Sequence, residues 1–188
     1  MRCRVTLSLL LATLLLAPAS AVAQRVAVHE GYWISFGLGG GWADDEFFDG
    51  GQPGFGSWLR MGGSPSQRLL LGGEVIGWLG SDDGTNTDVF RGQLQLVGLY
   101  YPSTSGGLFL KGGAGFASRS VDTSILIDDE DFTLTRDSEG VGLNTGIGWD
   151  LQVARNFFLT PNVDLLYQFL GEGQSGAVVL ITVGATWH

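Results

Sequence analysis

The sequence predicts an all-β protein, an eight-stranded antiparallel up-and-down transmembrane β-barrel. Three observations lead there. First, residues 140–152 (Gly-Val-Gly-Leu-Asn-Thr-Gly-Ile-Gly-Trp-Asp-Leu-Gln) divide with period two into an apolar and a small, polar face. Val141, Leu143, Thr145, Ile147, Trp149 and Leu151 share one side, because successive side chains of a strand point to opposite faces. Second, seven other segments repeat the pattern, joined by connections that alternate long and short. Third, the face opposite the apolar one is largely glycine, which suits a tightly curved interior better than a water-facing surface. A closed barrel whose apolar side meets lipid accommodates all three. The soluble rival, a lipocalin-type calyx, would turn the apolar face inward and expose the glycine face.

Residues 1–23 read as a signal peptide that is removed. Arg2 and Arg4 form a positive start, Val5–Ala17 is an apolar run of 13 residues, and Ala21-Val-Ala23 supplies a small-residue cleavage pattern. That run is too short to span a bilayer as a helix. The mature domain, 24–188, keeps no cysteine, since Cys3 leaves with the peptide. Export without disulfides requires another source of stability, and closing a sheet in lipid provides one. Glycine, 31 of 188 residues, shows no three-residue period, which excludes collagen.

In chain order the expected strands are Gly31–Trp42, Gly54–Gly63, Arg68–Gly80, Asp88–Tyr101, Gly107 to about Arg119, Gly140–Gln152, Asn156–Leu170 and Gly176–His188. Ser64–Gln67, Pro102–Gly106 and Val153–Arg155 are the expected short turns, and proline and serine favour such turns. Pro161 cannot donate to a ladder, so a bulge or local irregularity is expected there. The longest connection, about Ser120–Glu139, has two open readings. It is a polar loop, or a protruding hairpin of Thr123–Ile127 and Phe132–Thr135 around the acidic tip Asp128, Asp129, Glu130 and Asp131. The aromatic residues sort into two girdles, as membrane interfaces require. Tyr32, Tyr100, Trp149, Phe157 and Trp187 fall near the short-turn end; Trp42, Phe55, Phe90, Tyr167 and Phe169 fall near the long-loop end.

The signal peptide, the eight alternating strands and the aromatic-bearing last strand (Val179, Ile181, Val183, Ala185, Trp187) resemble the small outer-membrane β-barrels of the OmpA/OmpX/OmpW-like set. The resemblance covers the whole mature chain as a pattern. It implies the outer membrane of a Gram-negative bacterium, both termini periplasmic, contact with outer-membrane lipid and lipopolysaccharide, and insertion by the barrel-insertion machinery. The family's last strand usually ends in Phe, whereas this chain ends in His188.

Six charges face the expected interior: Arg60, Arg91 and Lys111 against Glu74, Asp150 and Asp164. They would form a paired lumen network, because an unpaired ion in that space is costly. Such a network is either an ion path or a polar plug. Fifteen of the 19 acidic residues lie in the long loops, where repulsion from lipopolysaccharide would be relieved by divalent cations. Asp82-x-Gly84-x-Asn86-x-Asp88 lacks the closing Glu of a calcium-binding EF-hand, so a solvated acidic surface is the plainer reading and no cofactor is expected. A net charge of −9 argues against nucleic acid.

Catalysis finds little support. The two histidines, His29 and His188, sit at the chain ends, away from the outer rim where a lipid-hydrolysing site would need a base. Gly171-Glu-Gly-Gln-Ser-Gly176 matches a nucleotide-binding spacing but precedes a strand rather than opening a helix. The expectation is a non-enzymatic surface scaffold with a plugged polar lumen, with a surface protein partner engaged through residues 123–135. The alternative is a small passive channel for small or apolar solutes, and a lipid-modifying enzyme is a weaker third.

Overall fold

The computed structural model describes residues 31–44, 51–82, 87–127, 130–171 and 174–188. Residues 1–30 lie outside it, and with them the signal-peptide assignment and His29. The strands are β1 (Gly31–Ala43), β2 (Gln52–Ser66), β3 (Leu69–Asp82), β4 (Thr87–Tyr100), β5 (Leu108–Ile127), β6 (Glu130–Trp149), β7 (Leu151–Ala154), β8 (Phe157–Leu170) and β9 (Gly176–Trp187). Apart from β6 and β7, strands adjacent in sequence pair antiparallel, and β9 returns to β1 from Ile34↔Trp187 to Ala43↔Val178. β6 and β7 are one stave interrupted at Asp150, both pairing with β8. The result is a closed eight-stave barrel.

The interruption has a local cause. The ladder between β6 and β8 ends at Gly148↔Asn162 and resumes on β7 at Leu151↔Leu159, so the gap spans Pro161. Proline offers no N–H. Asp150 instead donates its backbone N–H to Gly107 O at 2.9 Å. Toward β9 the register runs through Pro161↔Val183 without a shift, so the irregularity expected there falls on one side only.

Two expected turns move. β2 continues through Ser66 with a register slip between Gly63 and Ser66, and the turn is Gln67–Arg68 instead of Ser64–Gln67. Likewise the turn placed at Val153–Arg155 is Arg155–Asn156. The long connection resolves to the hairpin: β5 and β6 pair without a break from Leu108↔Trp149 to Ile127↔Glu130. Beyond Thr123 β5 ladders with β6 alone, and from Glu130 to Glu139 β6 ladders with β5 alone. Asp128 and Asp129, at the tip, lie outside the described residues.

The barrel is inverted relative to a soluble protein. Leu38, Leu94, Leu96, Phe116, Val141 and Ile181 are among its most exposed side chains, whereas Ser35, Glu74, Asp164 and Gln168 are fully buried. An apolar exterior around a polar interior is the surface of a membrane barrel. The interior is not purely polar. Trp33, Leu70, Leu99, Tyr101 and Phe109 fill it toward the short turns. Trp58, Ile76, Trp78, Leu166 and Leu180 fill it toward the long loops. Inward glycines make the room: a Cβ on Gly37 would come within 2.4 Å of the Trp58 ring, and one on Gly184 within 2.5 Å.

Candidate functional site

The lumen is where the chain concentrates its chemistry, and alternation alone delivers the residues. β2, β3, β5 and β8 each turn one inward position into an ion at the middle of the barrel: Arg60, Glu74, Lys111 and Asp164. All four are at most 3% exposed, so each needs a counter-charge. Lys111 Nζ lies 2.9 Å from Glu74 Oε1 and 3.1 Å from Oε2, and also meets Asp164 Oδ1. Gln95 donates to Glu74 Oε2 at 2.6 Å, and Asn162 donates to Asp164. Arg60 stands 3.8 Å from Glu74 Oε1, with its guanidinium 4.0 Å from the Trp58 ring centre and 5.3 Å from that of Phe109. Two positive and two negative groups balance, so no further ion is demanded. Arg60 also couples the charged layer to both apolar fillings, through cation–π contact with one aromatic from each.

The six expected lumen charges therefore do not form one network. Arg91 sits at the long-loop level, 2% exposed, donating to Gln168 Oε1 at 3.0 Å. Arg119, missed by the sequence reading, is buried at that level and donates to Gln174 Oε1 at 3.0 Å. Ser138 Oγ donates to the same oxygen at 2.6 Å. Asp150 forms a third centre at the short-turn rim, where Tyr101 Oη and Thr160 Oγ1 each donate to it at 2.6 Å. Hydroxyl contacts continue from Thr160 to Thr186 at 2.8 Å and on to Ser35 at 2.5 Å. His188 Nε2 lies 3.9 Å from Asp150.

At the lumen's middle, both amide atoms of Gln93 and of Asn144, and Arg60 Nε, have no hydrogen-bond partner among the described residues. That capacity suits internal water.

The ten girdle aromatics face outward. Tyr32, Trp42, Phe55, Phe90, Tyr100, Trp149, Tyr167, Phe169 and Trp187 are exposed and Phe157 half-buried. Phe157 and Phe36 pack on Trp187 at 4.9 and 5.8 Å between ring centres, and Tyr167 on Phe169 at 4.7 Å. Of the acidic tip, Glu130 and Asp131 open β6. Among the described residues, no three His, Cys, Asp or Glu side chains are grouped to hold a metal ion.

Solved structures with the same fold include neisserial surface protein A, with a TM-score of 0.58 at 14% identity over 84% of this chain and 96% of that one. Ail, the attachment invasion locus protein of Yersinia pestis, gives a TM-score of 0.57 at 14% identity, covering 84% and 98% of the two chains. The outer membrane protein OprG from Pseudomonas aeruginosa gives 0.50 at 12% identity, covering 87% and 100%. At identities this low the structural similarity shows a shared fold alone, the small eight-stranded outer-membrane barrel. No curated protein matches the sequence. The autotransporter beta-domain matches residues 72–174, more than half of the 188, and takes in β4, β5, β6, β7 and β8 with nearly all of β3. With a closed antiparallel barrel around a charged, filled lumen and that match over more than half of its length, the chain belongs to the autotransporter beta-domain family.

Proposed function

We propose that this protein is a non-enzymatic outer-membrane barrel whose lumen is a structural plug and whose extended hairpin is its surface for interaction. The observation that carries the reading is the filled interior. A charge-neutral layer of Arg60, Glu74, Lys111 and Asp164 lies between aromatic fillings built on Trp33, Tyr101 and Phe109 below and Trp58 and Trp78 above. An eight-stranded barrel is just wide enough for side chains to fill it, and here they do.

The interaction surface is the continuous β5–β6 hairpin, where a second protein would extend the β6 ladder by strand addition. Its charge selects the partner. Asp122, Asp137 and Glu139 join the acidic tip, so a basic partner fits and an anionic one is repelled. Ail has been solved in complex with the heparin analogue sucrose octasulfate. The acidic hairpin of this chain opposes a ligand of that charge.

A second reading, a small passive channel, is favoured by the buried amides of Gln93 and Asn144, which would suit water in the lumen. Planar-bilayer recording separates the two: the plug predicts silence from purified, heat-modifiable protein, and discrete openings favour the channel. Deleting Thr123–Thr135 across a short Gly-Ser turn should leave folding and heat-modifiable mobility intact while partner capture is lost. Unchanged capture would remove the hairpin from the function.

A further inference from the structure

The outer wall carries a groove that the plug and hairpin do not explain. The pairing registers align Ser57↔Gly77, Gly77↔Gly92, Gly92↔Ser118 and Ser118↔Glu139, a row of small residues across five neighbouring strands that ends in a carboxylate. These positions share the outward parity of Leu59, Val75, Leu94, Phe116 and Val141, which form the next row toward the short turns. Large side chains beside a glycine–serine floor leave a concavity of about 1000 Å³, at the upper limit of the roughly 300–1,000 Å³ typical of ligand pockets. On the long-loop side Phe90 forms the rim and lies over the floor. A Cβ on Gly92 would come within 2.9 Å of its ring, and one on Gly77 within 3.2 Å.

Charge is segregated around the groove's end. On the outward face, successive rows above it bring Ser120↔Asp137 and then Asp88↔Asp122. Ser120 Oγ donates to Asp137 at 2.7 Å, and Thr135 Oγ1 donates to Asp122 at 2.6 Å. Glu139, Asp137, Asp122 and Asp88 thus rise in steps along the outer face of β4–β6. Of the arginines of the same strands at this height, Arg91 and Arg119 point into the lumen and are 2% exposed, and Arg136 is exposed but has the opposite parity to Asp137, on the other face of the hairpin. Outside, the groove is apolar along its length and anionic at its long-loop end, level with the aromatic girdle that includes Phe90.

We propose that the groove seats one acyl chain of a lipid of the long-loop-side leaflet whose headgroup carries a primary ammonium, a chemistry for which phosphatidylethanolamine serves as the probe. The proposal rests on the membrane reading of the barrel's exterior, because the groove is continuous with the lipid-facing belt. The chain lies between Phe90 and the Leu94–Phe116 row, and the ammonium meets Glu139 and Asp137 near the interface. There the dielectric is below that of water and the attraction is less screened. A lipid with net negative charge would bring its phosphate against the same carboxylates, so the groove discriminates by charge as well as by shape.

The test is native mass spectrometry of the full chain in mild detergent, after exchange with equal amounts of phosphatidylethanolamine and phosphatidylglycerol. One phosphatidylethanolamine should remain bound, favoured roughly tenfold over phosphatidylglycerol, which corresponds to about 1.4 kcal/mol. Ser118→Leu, which fills the floor with a lipid-compatible side chain, should abolish retention. Ser57→Leu does the same from the other end and serves if the first variant folds badly. Asp137→Asn with Glu139→Gln should keep a bound lipid but remove the preference. Equal retention of both lipids by the wild type, or undiminished retention by the filled variants, overturns the seat. So does phosphatidylglycerol retained to the same level once magnesium is added, because the acids would then act through a metal bridge. Heat-modifiable gel mobility is measured on every variant. If the wild type itself proved a soluble monomer without detergent, the membrane reading would have failed and not the groove alone.

Discussion

Lys111→Met isolates the ion on which the middle of the lumen turns. The substitution keeps length and apolar stem and deletes one charge. Lys111 is the one described side chain that touches both acids, at 2.9 Å from Glu74 Oε1 and in contact with Asp164 Oδ1. Without it two fully buried carboxylates face each other, with Arg60 3.8 Å from one of them. Removing one partner of a buried pair costs about 3–5 kcal/mol, chiefly because the charge left behind is uncompensated. Adding Asp164→Leu restores neutrality, leaving Arg60 with Glu74, and should return most of the lost stability. Urea unfolding of the barrel in lipid vesicles, followed by tryptophan fluorescence, reads both variants. Planar bilayers should stay silent for both, because the aromatic fillings above and below are untouched. A single variant within about 1 kcal/mol of wild type would refute the buried-pair reasoning. Discrete openings in the single variant would show instead that the ions, and not the aromatics, close the lumen.

Three further outcomes follow from the same geometry. Leu143→Arg or Ile147→Arg, at exposed mid-strand positions of β6, should each cost roughly 2–4 kcal/mol in vesicles, and neutrality would mean that this face does not meet lipid. Gly146→Val should cost about 1–3 kcal/mol by overpacking, since a Cβ there would come within 2.5 Å of Asp164 Oδ1 and 2.8 Å of the fixed Val163 carbonyl; an unchanged urea midpoint would contradict the close approach. Asp150→Asn should cost about 1–3 kcal/mol, because an amide offers one acceptor oxygen where the Tyr101 and Thr160 hydroxyls now donate to two; an unchanged urea midpoint would remove that rim centre from the barrel's stability.

What the sequence makes legible is what the pleat makes local. A period of two assigns each residue to a face without any knowledge of its neighbours, so the lipid belt, the girdles and the inward ions can be read from one strand at a time. Cross-strand neighbours need the register, and across-lumen neighbours need the closure as well. Lys111 on β5 and Asp164 on β8 both pair with Gly146 of β6 and meet over that glycine, a contact that two registers place and no spacing in the chain encodes. Six inward charges therefore look like one network, while the fold distributes them over three levels. Arg119 escaped because the fifth strand was ended at about that residue, whereas β5 runs on to Ile127. Tyr101 escaped because it closed the expected fourth strand on the face that alternation marks as inward, with no charge to draw notice. The hairpin was undecidable for a different reason. Its tip is acidic and its arms β-branched, so local propensity opposes itself, and what decides is the unbroken β5–β6 register propagated from Leu108↔Trp149 upward. The row from Ser57 to Glu139 lies furthest from sequence reading. Its five members come from five strands, each unremarkable alone, and only the pairing of those strands turns two serines, two glycines and a glutamate into one floor.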